Sequence, residues 1–146
     1  MVNRFMTSGD RAPRGDLRAE LRLLGSVPTL SGAPASLLGA LVGSGYVVRA
    51  RPGSSLLLEQ TPPDKAYLLL EGTVDVRRSG IDLGPCRPGE ILGELGIVRR
   101  RLRTATVVTT TEATVLHLSR EAFEQLHDQE PYFRDLVGEA VLRKTA

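Results

Sequence analysis

Cysteine, histidine and aromatic side chains are scarce in this chain, and each scarcity excludes something. The single cysteine, Cys86, cannot close an internal disulfide, so nothing in the sequence requires an oxidising compartment. The two histidines, His117 and His127, stand apart without neighbouring cysteines, which does not make a metal site and leaves a cupin-like metalloenzyme without its ligands. No Ser-His-Asp or Cys-His arrangement has a supporting context and no Walker loop is present, so an enzyme is not expected. No stretch approaches the roughly twenty apolar residues that span a bilayer. The first fifteen residues, with Arg4, Asp10, Arg11 and Arg14, lack the apolar block of a signal peptide. The expectation is a cytoplasmic protein with no membrane segment and no cofactor.

What is present suits one domain with a real core: 146 residues, 41% hydrophobic and 25% charged. A formal net charge of +2 is too small to imply a nucleic-acid partner. The positive charge is nonetheless concentrated, with arginines at 99, 100, 101 and 103. Residues 1–15 mix Gly, Ser, Pro and charge without periodicity and read as a flexible leader; residues 16–146 read as the domain. Leu17, Leu21 and Leu24 sit at helical spacing behind an Asp16 cap, with Gly25 ending that helix. Pro34 to Val42 reads as a second short helix.

After Gly45 the texture changes. Apolar runs of strand length follow one another at Tyr46 to Ala50, Ser55 to Glu59, Ala66 to Glu71, Thr73 to Arg78, Ile81 to Leu83, Arg103 to Val108 and Ala113 to Ser119. Turn residues punctuate them, such as Pro52-Gly53, Gly72, Ser79-Gly80 and Pro88-Gly89. Many short strands at near-regular spacing predict a mainly β body, a jelly-roll β-roll (double-stranded β-helix) over about 46–119. Helical spacing returns behind Ser119, Pro131 breaks or restarts it, and Phe133, Leu136, Val137, Ala140 and Val141 form an apolar stripe. The predicted layout is N-terminal helices, β body, then C-terminal helices over about 120–143. The stripe has three roles open to it: core, lid over a ligand, or dimer seam.

The segment with chemistry runs from Gly89-Glu90-Ile91-Leu92-Gly93-Glu94-Leu95-Gly96 to Arg103-Thr104-Ala105. Glycines at 93 and 96 let backbone amides approach an anion with no Cβ in the way. A short helix starting near Glu94 directs its N-terminal amides toward that anion. Arg103 supplies a permanent charge and a planar fork matched to two phosphate oxygens. A carboxylate beside a phosphate makes sense if Glu94 accepts a hydrogen bond from a sugar hydroxyl while Arg103 compensates its charge.

Gly93-Glu94-Leu95-Gly96, with Arg103-Thr104-Ala105 beginning nine residues after the glutamate, resembles the phosphate-binding cassette of cyclic-nucleotide-binding domains. Arg51-Pro52-Gly53, Tyr67 to Val76, Leu83-Gly84-Pro85 and Pro88-Gly89-Glu90 also fit that family's pattern, which extends over about residues 20 to 140. The resemblance implies that Glu94 binds the ribose hydroxyl and Arg103 the cyclic phosphate. It implies that Gly93, Leu95, Gly96 and Thr104 complete the phosphate site and that Ala105 gives close packing or a backbone contact. The ligand so implied is cAMP ahead of cGMP, and the preference is weak because Thr104 also offers a hydrogen bond to a syn guanine. Three departures stand out. Gln60 replaces a usual glycine in a turn expected to lie away from the phosphate site. Leu92 replaces a phenylalanine, and the arginine run replaces small or acidic residues.

Plainer readings remain for the other groups. Arg99, Arg100 and Arg101 read as a solvated face without the aromatic interleaving of a nucleic-acid patch. His117 reads as facing solvent or a partner, Cys86 as an inert turn thiol, and Tyr67 and Phe123 as core. The chain stops at Ala146, which leaves no room for a helix-turn-helix and gives no expectation of DNA binding. The expected function is a regulatory sensor that relays ligand binding through its C-terminal helices to a protein partner or a second copy. The alternative is a nucleotide-free module of the same fold used for assembly.

Overall fold

The structure, a computed structural model, describes residues 16–145; the expected leader lies outside the described residues. Helix α1 (Leu17–Ser26) starts where Asp16 accepts a hydrogen bond from the Arg18 amide, and it runs through Gly25 to the following residue. A 3₁₀ turn (Pro28–Leu30) leads to α2 (Ala35–Ser44), with Pro34 as its N-cap. Eight strands follow: β1 (Tyr46–Ala50), β2 (Ser55–Leu57), β3 (Lys65–Glu71), β4 (Val74–Arg78), β5 (Ile81–Cys86), β6 (Ile91–Leu92), β7 (Thr106–Thr109) and β8 (Ala113–Ser119). Helix α3 (Glu94–Arg99) lies between β6 and β7, and α4 (Arg120–Gln129) and α5 (Pro131–Thr145) close the chain.

The strands form two antiparallel sheets, ordered β1-β8-β3-β6 and β2-β7-β4-β5, which face each other as a β-roll. One core lies between the sheets, where Tyr67, Leu69, Val74, Leu92, Val107 and Val115 meet. A second lies on the outer face of the first sheet, where Leu68, Leu70 and Leu116 pack against Leu24, Leu37, Phe123 and Phe133 of the helices. Strand β3 therefore has both faces covered. Its unbroken run Tyr67-Leu68-Leu69-Leu70 follows from that, since period-2 alternation marks only strands with one wet face. Pro85 sits in β5, an edge strand, where its missing N–H leaves no ladder bond unmade.

The structure adjusts several expected boundaries. Strand β2 ends at Leu57, β5 continues to Cys86, and β7 begins at Thr106 rather than Arg103. Of the three roles open to the Phe133 stripe, core is the one it fills: Phe133, Val137 and Ala140 are each 1% exposed. His117, expected to face solvent or a partner, is half-buried. Its ring stacks on Tyr46 at 4.5 Å and meets Tyr67 edge-on at 5.3 Å.

Gly72 joins β3 to β4 at φ +90°, and a Cβ there would strike the Glu112 carbonyl and the Ala113 backbone. The Gly72→Ala variant is expected to lose about 2–4 kcal/mol of stability from backbone strain and overpacking. Urea unfolding monitored by circular dichroism reads this; a loss under 1 kcal/mol contradicts it.

Candidate functional site

Strand β6 leaves the first sheet at Leu92, and the chain must turn sharply to start α3. Gly93 makes that turn at φ +88° and serves as the N-cap. A residue with a side chain is strained there. A Cβ at position 93 would sit 2.8 Å from the Arg103 guanidinium and 3.0 Å from Leu57. Helix α3 ends with Arg100 in the left-handed region (φ 53°), where the Arg100 and Arg101 amides bond back to the Ile97 and Gly96 carbonyls. The chain then returns, and Arg103 is carried to within reach of Gly93.

Arg103 is only 4% exposed. Its Nη2 donates to the Lys65 carbonyl at 2.6 Å, and its Nη1 makes a long contact of 3.4 Å with the Gly93 carbonyl. Asp64 lies 3.5 Å from Nη2, but its carboxylate is 71% exposed, so that pair is screened and weak. Burial pulls the guanidinium below its ordinary pKa, and Asp64 works in the opposite direction. Three of its contacts are accounted for, whereas a guanidinium has five N–H donors. The Arg103 backbone is fixed as well: its amide donates to the Thr61 carbonyl at 2.9 Å, and its carbonyl accepts from the Gln60 amide at 2.8 Å. Gln60 was expected to lie away from the site. Instead its left-handed backbone (φ 62°) anchors the residue that carries the charge.

Glu94, the first residue of α3, is fully buried. Its Oε1 accepts from Lys144 Nζ at 2.8 Å, while its Oε2 is buried without a hydrogen-bond partner. Lys144, near the end of α5, also donates to the Ile91 carbonyl at 3.1 Å. Sequence reasoning missed Lys144. It lies beyond the apolar stripe, and no local spacing ties it to Glu94 fifty residues away.

Glu94 and Arg103 line one cavity of about 460 Å³ at the end of the β-roll. Gly93, Leu95, Thr104 and Ala105 line it too, as do Leu83, Cys86, Arg143 and Lys144. Gly96 does not; it packs in α3 against Pro63 and the Arg101 carbonyl. Arg78 of β4 donates to the Thr104 carbonyl at 3.3 Å, adding a second guanidinium to the wall. Arginine and lysine side chains thus outnumber carboxylates there, which suits an anionic ligand. Among the described residues, no group of His, Cys, Asp and Glu is placed to hold a metal ion.

Helix α5 is tied to this region at both ends. Near its start, the Tyr132 hydroxyl donates to the Thr29 carbonyl at 2.8 Å, and the Thr29 hydroxyl donates to the Gly89 carbonyl at 2.5 Å, just before β6. Near its end stands Lys144. Among the described residues, no helix is long and apolar enough to cross a membrane.

Comparison with known proteins gives a consistent result. The model of the cyclic nucleotide-binding domain family matches residues 47–130. The cGMP-dependent protein kinase egl-4 of Caenorhabditis briggsae is 36% identical over 86 residues, covering 59% of this chain and 12% of the kinase. A cAMP-dependent protein kinase regulatory subunit of Aspergillus niger is 29% identical over 106 residues, covering 70% of this chain and 26% of that protein. The chain thus spans about a quarter or less of the length of these curated relatives. Among solved structures, the regulatory domain of Toxoplasma gondii PKA with cAMP aligns with a TM-score of 0.74 at 21% identity, covering 87% of this chain and 50% of that one.

Cys86 on the cavity wall provides a chemical check on this geometry. Burial first, and then the nearby Glu90 carboxylate, push its thiol up to about 11, with Lys144 opposing them. Iodoacetamide at pH 8 is therefore expected to modify Cys86 far more slowly than a free thiol. The folded-state value exceeds the unfolded one, so the thiol's contribution to stability is intact below pH 9 and lost as pH rises through about 11. Chemical denaturation of wild type and Cys86→Ala across that window measures the loss, which the alanine variant lacks.

Proposed function

The chain belongs to the cyclic nucleotide-binding domain family, and from that premise we propose that it binds a 3′,5′-cyclic nucleoside monophosphate, cAMP ahead of cGMP, in the cavity beneath α5. The observation that carries this reading is the pair of buried charges on one cavity wall. Arg103 keeps guanidinium donors for a phosphate, and Glu94 keeps one buried oxygen for a sugar hydroxyl. An unpartnered buried acceptor costs about 1–3 kcal/mol, and a ligand hydroxyl removes that cost. The cyclic phosphate carries one negative charge, which Arg103 answers with a fork of two parallel donors. Gly93 keeps the approach to that fork free of a Cβ, and Leu95, Thr104 and Ala105 complete the wall. Thr104 provides a hydroxyl for a syn guanine, so the preference for adenine is narrow. Gly96 contributes from behind, by letting α3 pack closely on Pro63.

The role is regulatory binding without catalysis, with the output relayed through the segment from Ala122 to Val141. Support for the relay comes from the ties between α5 and both ends of the cassette approach, Thr29–Gly89 on one side and Lys144–Glu94 on the other. For a ligand to move α5, it must bind two arrangements of that helix with different affinity. A protein partner or a second copy of the chain then reads the helix position.

A second reading, an assembly module without a nucleotide, draws on the arginine run. Arg100 and Arg101 line a separate cleft of about 680 Å³ together with Arg120, beside the half-exposed Leu102. A thermal-shift screen with cAMP, cGMP and unrelated nucleotides separates the two, because a ligand specific to the folded state raises the melting temperature. The nucleotide reading predicts a rise with cyclic nucleotides alone; no shift at millimolar ligand favours assembly. Removing one charge-assisted contact, Arg103→Ala, is expected to weaken cAMP binding roughly 10- to 150-fold in calorimetric titration. Unchanged affinity in that variant removes Arg103 from the phosphate site.

A further inference from the structure

We infer that Lys144 is a built-in competitor for the ligand's sugar hydroxyl, occupying Glu94 until the nucleotide displaces it. This rests on the nucleotide reading above and adds a residue of α5 to it. Glu94 borders the cavity, yet it is 0% exposed with α5 docked. A hydroxyl oxygen is about as large as a water molecule, and a carboxylate that water cannot touch is closed to a sugar hydroxyl too. Lys144 lies across it. The Lys144 ammonium lies 2.8 Å from Oε1 and 3.1 Å from the Ile91 carbonyl, which holds the last turn of α5 over the end of β6 and the start of α3.

Lys144 and a ligand hydroxyl make the same kind of contact, a donor on the Glu94 carboxylate. Each can satisfy it, and with α5 docked only the lysine is in place. The closed arrangement is easily opened for two reasons. Oε2 stays buried and unpartnered while Lys144 is docked, which is a standing cost to that state. The Lys144 side chain is 33% exposed on a flexible four-carbon stem, so its ammonium reaches water by rotamer change. Ligand entry and release of the last turn of α5 are then one exchange at one carboxylate. By linkage, weakening the lysine contact must strengthen ligand binding.

The test is calorimetric titration of the full chain with cAMP for wild type, Lys144→Met and Lys144→Arg, with hydrogen exchange of the amides at 141–145. Lys144→Met is expected to bind cAMP about 3- to 10-fold more tightly, and Lys144→Arg to stay near wild type. Added cAMP is expected to speed exchange in the last turn of wild-type α5, and Lys144→Met to show fast exchange without ligand. Equal or weaker binding by Lys144→Met, or slower exchange on adding cAMP, overturns the inference while leaving nucleotide binding intact. No binding by either wild type or Lys144→Met at millimolar cAMP or cGMP overturns the nucleotide reading itself, and the competitor role with it. Should Lys144→Met fold poorly, Lys144→Leu, which also lacks a donor, carries the same expectation.

Discussion

A guanidinium buried almost completely at the end of a β-roll must be held by something, and here the holder is mainly backbone. The Lys65 carbonyl takes the short bond to Arg103, while the nearest carboxylate, on Asp64, is mostly in water and 3.5 Å away. A buried cation without a buried counter-ion is expensive, and several kcal/mol of desolvation are only partly recovered by main-chain dipoles. Much of the local architecture serves that one group. Gly93 leaves room beside it, Gln60 and Thr61 pin its backbone, and β3 places the Lys65 carbonyl beneath it. The arrangement is poised for an anion, because an anion in the cavity supplies the counter-charge that the fold withholds.

Glu94 presents the complementary problem across the same cavity, and it is answered by a different element. Its partner is Lys144 in the last turn of α5, so one contact ties that turn to the carboxylate. Phe133, Val137 and Ala140 seat α5 in the outer core, and that packing fixes the helix without reference to the site. The terminal turn beyond them is seated less deeply: Val141 packs partly buried against the same core, Leu142 is 70% exposed, and Lys144 bonds to Glu94 and the Ile91 carbonyl. The proposed relay needs movement of that last turn alone. The core residues need not repack for the tip to move.

Local sequence revealed the parts of the fold that depend on neighbours in the chain. Asp16 and Ser119 cap their helices as expected, because an N-cap needs only the next few amides. The Tyr67 to Leu70 run marks a strand because its residue types and flanking turns do. The spacing from Gly93 to Ala105 was legible because a glycine turn, a short helix and a returning arginine form one contiguous loop. What sequence left hidden depends on distant segments. Gln60 became part of the site through a bond to the Arg103 carbonyl, His117 was covered by Tyr46 from another strand, and Lys144 reached Glu94 from α5. None of these contacts leaves a periodicity or a spacing to read.

The proposed site places a phosphate on Arg103 and a sugar hydroxyl on Glu94 in one cavity. A crystal structure of the complex with cAMP tests this most directly. Expected are the cyclic phosphate within hydrogen-bond distance of the Arg103 guanidinium, the ribose 2′-hydroxyl on Glu94, and Lys144 withdrawn from that carboxylate. A nucleotide bound elsewhere, such as the cleft lined by Arg100, Arg101 and Arg120, with Arg103 and Glu94 unchanged, would contradict it.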